Sequence, residues 1–138
     1  MKSLLLMVGL IPPALLHWLV RWRFKTVQQQ TPIALASSLT SAPALLLDVR
    51  THDEFESGHL LSAVHVTDAE TALQMIHDFR LSLPDGQVVA YCTVGYRSAQ
   101  FAERLTSLGC ADVKNLEGGI WAWTAAGRPI TIATATQS

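Results

Sequence analysis

The chain has 138 residues, which is enough for one domain with its own hydrophobic core. Its formal net charge of −1 excludes a general attraction to nucleic acid, so no nucleic-acid partner is predicted. The two cysteines, Cys92 and Cys110, form no Cys-x-x-Cys pair; this excludes a disulfide framework and indicates one reactive thiol in a reducing compartment. The five histidines show no ligand spacing with cysteines or carboxylates, so no metal is predicted.

Residues 4–20 form a mostly apolar run at the short end of the length that crosses a membrane. Basic and aromatic residues alternate directly after it, as at a membrane interface, in the order Arg21, Trp22, Arg23, Phe24 and Lys25. We therefore predict that residues 1–26 are an N-terminal apolar segment, with a helix that anchors the chain in a membrane. Positive charge is heavier after the run than before it, which places the following domain on the cytoplasmic side.

Two other interpretations of this segment stay open. A cleaved secretory signal would make the protein exported, although no small-residue cleavage site directly follows the apolar run. The other is an apolar helical arm, which lies on the membrane surface or packs against the domain or a partner; when packed, it would leave a soluble cytoplasmic protein.

Between residues 27 and 130, short apolar stretches alternate with helical patterns. Strands are predicted, in chain order, at 27–30, 44–49, 63–66, 88–91 and 111–115. The helices between them have local start signals, namely Pro32 after Thr31 and the capping boxes 51–54 and 67–70. This alternation predicts an α/β domain over residues 27–130, with a parallel sheet and helices on both faces, followed by a flexible tail at 131–138.

Three polar residues lie near the ends of early elements. Asp48 and Arg50 come at the carboxyl end of the predicted strand 44–49, where open α/β sheets place their sites. The favoured interpretation is an ion pair that fixes the loop, and a direct substrate role for Arg50 is the alternative. His59 follows the helix that Gly58 ends, and a buried structural histidine is favoured over a catalytic one.

The stretch from Val88 to Ser98 carries the clearest chemical signal. It predicts a buried strand that ends on Cys92, then a short loop in which Gly95 permits a positive φ, then a helix that continues to Leu108. Backbone N–H groups and a helix N-terminus at such a loop favour a thiolate, and Arg97 adds a fixed positive charge. The predicted site is an anion-binding loop around one nucleophile, formed by Cys92, Thr93, Val94, Gly95, Tyr96, Arg97 and Ser98.

With this loop, the chain resembles the rhodanese family of sulfurtransferases across roughly residues 27–130. The matching segments are 46–50, 54–55, 58–59, 92–98, 116–119, Trp123 and 127–129. One departure is visible, because Leu61-Ser62 stands where family members often have Pro-Gly. The resemblance implies a rhodanese-like α/β fold with a central, mostly parallel, five-stranded sheet, and it implies that Asp48, Arg50 and His59 support the site.

The resemblance also implies sulfur transfer through a persulfide on Cys92, from a small donor such as thiosulfate or a persulfide. The acceptor is expected to be a thiol, cyanide or a protein, and no cofactor is needed. Many thiosulfate-using members carry Arg or Lys directly after the cysteine. Thr93 stands there in this chain, which makes a persulfide or protein donor an alternative to thiosulfate.

Two alternatives to the enzyme remain open. The first is a membrane-tethered, non-catalytic sulfur carrier or adaptor, since many domains of this family are adaptors that lack the nucleophile. The second is a phosphatase, but related phosphatases have five residues between cysteine and arginine, and only four separate Cys92 from Arg97. Cys110 is predicted to be a packing residue, with a resolving thiol as the alternative. Trp121 and Trp123 are also predicted to pack.

Overall fold

The computed structural model describes residues 11–132. Within this range six helices form, at Pro13–Arg23 (α1), Pro32–Leu39 (α2), His52–Ser57 (α3), Ala69–Ser82 (α4), Tyr96–Ser107 (α5) and Gly119–Ala125 (α6). Seven strands form, at Gln29–Gln30 (β1), Leu45–Asp48 (β2), His59–Leu60 (β3), Val64–His65 (β4), Val88–Tyr91 (β5), Lys114–Leu116 (β6) and Ile130–Thr131 (β7).

Five of these strands form one parallel sheet in the order β1-β6-β5-β2-β4, which confirms the predicted five-stranded sheet. The carboxyl ends of the two central strands, β2 and β5, therefore lie side by side, with Asp48 in register with Tyr91. The remaining strands, β3 and β7, pair antiparallel in a separate two-stranded sheet.

Strand β5 shows why both faces of the sheet are covered. All four of its residues are buried, and because successive side chains point to opposite faces they serve two different cores. Val88 and Ala90 pack with residues of α1, α4 and α5, whereas Val89 and Tyr91 pack with residues of α2 and α6. Complete burial of each valine contributes about 1.5–3 kcal/mol, so this strand is a firm support for the loop that follows it.

The prediction of a membrane-spanning N-terminal helix is not supported by the structure. Residues 4–10 of the predicted span lie outside the described residues, and no helix in the range 11–132 has the length and apolarity needed to cross a bilayer. Helix α1, of 11 residues, packs against the domain. Val20 is buried in the core that contains Leu105, and Phe24 directly after the helix is fully buried. Packing against the domain is thus the arrangement that α1 adopts.

Three local details differ from the predicted boundaries. The cap of α4 is Asp68, whose carboxylate accepts the Thr71 amide, so the predicted capping box at 67–70 is wrong by one residue. Thr131, which was predicted to lie in a flexible tail, belongs to β7 and pairs with His59 of β3. The rest of that tail, from residue 133 onward, lies outside the described residues. Ser62, at the position of the usual glycine, adopts a φ of 68°, a left-handed conformation that is uncommon for residues with a side chain.

Candidate active site

Cys92 follows β5 directly, at the carboxyl edge of the sheet, and is 1% exposed. Its Sγ accepts hydrogen bonds from the Gly95 amide at 3.1 Å, the Ser98 amide at 3.4 Å and the Ser98 hydroxyl at 3.3 Å. The sulfur also lies beside the N-terminus of α5, where the helix dipole is positive. These groups together stabilise negative charge on one sulfur atom.

The loop can turn back on the sulfur because Gly95 has a φ of 100°. A side chain there would also meet the neighbouring loop, since a Cβ atom would lie 3.2 Å from the Gly118 nitrogen. Gly95 is therefore required both for the backbone conformation and for the close approach of the segment after β6.

Helix α6 holds the other side of the same loop. The amides of Ile120 and Trp121 donate to the carbonyl oxygens of Cys92 and Thr93, at 2.9 and 3.1 Å. This approach requires glycine at Gly119, because a Cβ atom there would lie 2.4 Å from both carbonyl oxygens. With its carbonyl groups bound to α6, the loop turns its amides toward the sulfur. The sequence pattern marked 116–119 as part of the family resemblance but did not indicate this contact.

Asn115 is a functional candidate that the sequence did not single out. It is fully buried on β6, and its Nδ2 donates to the Gly95 carbonyl at 3.0 Å. Its Oδ1 lies within hydrogen-bond distance of the Ser98 hydroxyl, whose single proton is shared between this oxygen and the Cys92 sulfur. One side chain thus fixes two of the residues that contact Cys92. The sequence shows only that Asn115 is a polar residue at the end of the predicted strand 111–115. It does not indicate which residues Asn115 contacts.

Arg97 does not point freely into the loop. Its Nη1 and Nη2 donate to the two carboxylate oxygens of Glu54, at 3.0 and 3.1 Å, and Nη2 also donates to the Thr93 hydroxyl at 2.9 Å. The hydrogen bond to Arg97 is the main cause that lowers the pKa of Glu54 to about 2. The carboxyl group is therefore ionised at neutral pH and offsets the positive charge of Arg97.

Glu54 was predicted as part of a helix cap and of the family resemblance, with no role at the loop, and the helix cap is confirmed. Thr51 Oγ1 accepts the Glu54 amide, and Glu54 Oε1 accepts the Thr51 amide, which completes the capping box of α3. The same carboxylate reaches across to Arg97, so one residue both starts a helix and sets the charge at the entrance to the loop.

The other loop residues have distinct positions. Thr93 is buried, Val94 is half-buried, and Tyr96 is the first residue of α5, with its ring edge against Phe24 at a centroid distance of 5.1 Å. Thr93 and Val94 therefore form the rim of the loop, whereas Tyr96 also fixes α1 to the domain.

Asp48 and Arg50 form a buried ion pair on the neighbouring strand. Arg50 Nε and Nη2 donate to the Asp48 carboxylate at 3.0 and 2.7 Å, and Nη2 also donates to the Gly58 carbonyl at 2.6 Å. Hydrogen bonding to Asp48 and its charge raise the pKa of Arg50 against the opposing effect of burial. The guanidinium of Arg50 thus joins the end of β2 to the segment before β3.

His59 lies beside this pair but does not contact Cys92. Its ring stacks on Phe55 at a centroid distance of 3.9 Å, and Nδ1 donates to the Phe55 carbonyl at 2.9 Å. The position of its ring is thereby fixed by α3. Among residues 11–132, no group of three or more His, Cys, Asp and Glu side chains is arranged to hold a metal ion.

A single buried cysteine in a loop of amides, at the carboxyl edge of a parallel sheet, defines a class of α/β domain built around one sulfur atom. Comparison with family models assigns the class, since residues 31–126 match the rhodanese-like domain. The chain belongs to this family.

Solved structures of similar proteins have the same fold as this chain. A rhodanese-like domain protein of Staphylococcus aureus is 26% identical with a TM-score of 0.61, and the match covers 78% of this chain and 100% of that one. A thiosulfate sulfurtransferase of Pseudomonas aeruginosa is 24% identical with a TM-score of 0.70, covering 88% of this chain and 23% of that one. A curated relative, tRNA uridine(34) hydroxylase of Staphylococcus aureus (strain Newman), is 31% identical over 100 residues, which is 71% of this chain and 31% of the relative.

Proposed function

We propose that the chain is a sulfurtransferase that moves a sulfane sulfur from a donor to a thiophilic acceptor through a persulfide on Cys92. The observation that carries the proposal is the convergence of two amides and one hydroxyl on the Cys92 sulfur. Donors that are already oriented toward a buried atom stabilise negative charge there without reorganisation during the reaction. Membership in the rhodanese-like family supports the same chemistry.

In the first step, the Cys92 thiolate attacks the outer sulfur of the donor, and its electron pair forms a new S–S bond. The S–S bond of the donor breaks, and its electron pair leaves with the remainder of the donor, which is sulfite when the donor is thiosulfate. The negative charge then lies on the outer sulfur of a Cys92 persulfide, at the entrance to the same loop.

In the second step, a thiol, cyanide or protein nucleophile attacks the outer sulfur of the persulfide. The S–S bond breaks toward Cys92 and restores its thiolate, which the Gly95 and Ser98 donors again stabilise. The electron pair of the acceptor forms an S–S bond when the acceptor is a thiol and a C–S bond when it is cyanide. One bond to the transferred sulfur forms and one breaks in each step, so no external oxidant is needed.

Two contacts weigh against a phosphatase. A phosphate group needs a guanidinium fork that is free to bind two of its oxygens. The fork of Arg97 already binds both oxygens of Glu54.

The hydroxylase activity in the name of the curated relative does not extend to this chain, because the chain spans only 31% of that relative's length.

The test is the intact mass of the reduced, full-length chain after a pulse of thiosulfate or polysulfide. We expect a gain of one sulfur atom in the wild type and in Cys110→Ser, and no gain in Cys92→Ser. The Cys110→Ser variant is the matched control, because it removes a thiol without touching the loop. Circular dichroism checks that both variants fold.

A wild type that gains no sulfur from either donor would refute the proposal and favour an adaptor. A persulfide that passes only to a co-purified protein, and not to cyanide or a small thiol, would favour the sulfur carrier instead of the enzyme.

A further inference from the structure

A groove of about 590 Å³ lies directly beside the Cys92 loop, between α1 and α6. That volume suits a small organic molecule. Its walls are apolar side chains of both helices, including Leu16, Trp121, Ala122 and Ala125. Among the lining residues in the range 11–132, only His17 has a titratable side chain. Trp121, which was predicted to pack, is 52% exposed and forms part of the groove wall.

The groove is continuous with the sulfur site. Val94, two residues after Cys92, forms part of its wall together with Gly118. The Gly118 nitrogen lies close to Gly95, whose amide donates to the Cys92 sulfur. A molecule in the groove would therefore have one end at the rim of the loop that holds the nucleophile.

The charges around the loop disfavour a dianion. Three arginines around this edge of the domain are each paired with a carboxylate, Arg97 with Glu54, Arg50 with Asp48 and Arg21 with Glu117. A donor with two negative charges would lose its hydration at the loop without gaining an unpaired cation in exchange. A donor with one negative charge has a smaller hydration shell to lose.

We propose that the groove binds the apolar part of an organic sulfane donor that carries at most one negative charge, such as a hydrophobic persulfide or thiosulfonate. The proposal rests on the sulfur transfer proposed above and specifies its substrate class. The apolar part would lie between α1 and α6, and the outer sulfur would reach Cys92 across Val94.

Thiosulfonates provide probes of this class. The Cys92 thiolate attacks the outer sulfur of benzenethiosulfonate, the S–S bond of the donor breaks, and its electron pair leaves as benzenesulfinate. One negative charge remains on the persulfide and one on the sulfinate, so charge and atoms balance. Thiosulfate reacts in the same way and releases sulfite, but it brings two negative charges and no apolar part.

The experiment compares kcat/KM for thiosulfate, methanethiosulfonate and benzenethiosulfonate, with cyanide as the acceptor. Each value is divided by the rate of the same donor with a free small thiol, which removes its intrinsic reactivity. We expect benzenethiosulfonate to exceed methanethiosulfonate by about tenfold because its ring is buried in the groove, and thiosulfate to be the poorest of the three.

Filling the groove tests the position of the ring. Ala125→Phe places a large side chain in the groove from an exposed position, and we expect it to lower kcat/KM for benzenethiosulfonate by about tenfold, more than for methanethiosulfonate. The matched control is Thr124→Phe, on the same helix but outside the groove lining, which should retain the preference of the wild type.

Removing the negative charge at the entrance tests the role of charge. Glu54→Gln leaves Arg97 without its compensating carboxylate, and we expect the normalised kcat/KM for thiosulfate to rise about fivefold relative to methanethiosulfonate. Glutamine still supplies the capping oxygen of α3. The control is Glu56→Gln, which makes the same charge change on the exposed side of that helix.

The outcomes separate this proposal from the function on which it rests. If no donor places sulfur on Cys92, the proposed function fails. If all three donors react equally after normalisation and Ala125→Phe has no effect, sulfur transfer stands and the groove proposal is overturned.

Discussion

The two cysteines of this chain have opposite surroundings. Cys92 is buried at the end of a central strand and receives three hydrogen bonds on its sulfur. Cys110 follows α5, is half-buried, and lies 3.8 Å from the Asp112 carboxylate. Burial and the negative charge of Asp112 raise the pKa of the Cys110 thiol.

The comparison shows that two cysteines of one domain can have opposite electrostatic surroundings. Burial by itself favours the neutral thiol, as at Cys110. At Cys92 the buried atom is surrounded by donors, and the loop has no carboxylate in hydrogen-bond contact with that sulfur. The difference lies in what the backbone of the loop presents to the sulfur, so variants that disturb this loop test it.

The largest effect is expected from Gly119→Ala. The new methyl group would overlap the carbonyl oxygens of Cys92 and Thr93, forcing the loop away from α6. We expect a loss of persulfide formation and a fall of about 3 kcal/mol in the free energy of unfolding. Urea denaturation and intact mass measure the two effects.

The control for this variant is Gly127→Ala, beyond the other end of α6. Gly127 also has a positive φ, 77°, but a Cβ atom there would meet nothing within 4 Å. It should cost about 1 kcal/mol and leave persulfide formation intact. Equal losses in the two variants would show that backbone strain, and not the contact with Cys92 and Thr93, explains the effect.

A smaller effect is expected from Ser98→Ala. This change removes the hydroxyl between Cys92 and Asn115 but keeps the Ser98 amide in place. We expect the rate of persulfide formation to fall about tenfold, because one of three donors to the anionic sulfur is lost. Stopped-flow measurement of single-turnover loading gives the rate.

Ser107→Ala, near the C-terminus of the same helix, is its control. The Ser107 hydroxyl donates to the Arg104 carbonyl, far along α5 from the sulfur, so its removal should not slow loading. An unchanged rate in Ser98→Ala would mean that the two amides alone stabilise the thiolate.

The smallest effect concerns the pH dependence of stability. The folded chain lowers the pKa of Glu54 from 4.5 to about 2, so its ionised form contributes stability that is complete above pH 4.5 and lost as the pH falls toward 2. We expect Glu54→Gln to be less stable than the wild type at pH 6, with a difference that shrinks below pH 4.5. Urea midpoints between pH 3 and 6 measure this difference.

Glu56→Gln again serves as the control, since Glu56 pairs only with exposed His52 on the same helix. A Glu54→Gln variant whose deficit stays constant down to pH 3 would contradict the ion pair with Arg97.

Much of the fold follows from local sequence. The four apolar residues of β5 predict a strand covered on both faces, and the structure buries all of them. Thr51 and Glu54 predict a capping box because its contacts join residues three positions apart. The loop from Cys92 to Ser98 could be outlined for the same reason, since its turn, its glycine and its helix start are neighbours in the chain.

The sequence determined the strand, the loop and the place of Cys92 between them, because adjacent residues specify them through backbone preference and apolar pattern. Only the tertiary structure decided that Glu54 pairs with Arg97, 43 positions away, and that Asn115 binds Ser98, 17 positions away. It also decided that α1 packs beside the loop and forms a groove with α6. These contacts depend on the order of the strands in the sheet. That order brings together side chains that are far apart in the sequence and that no local sequence pattern relates to each other.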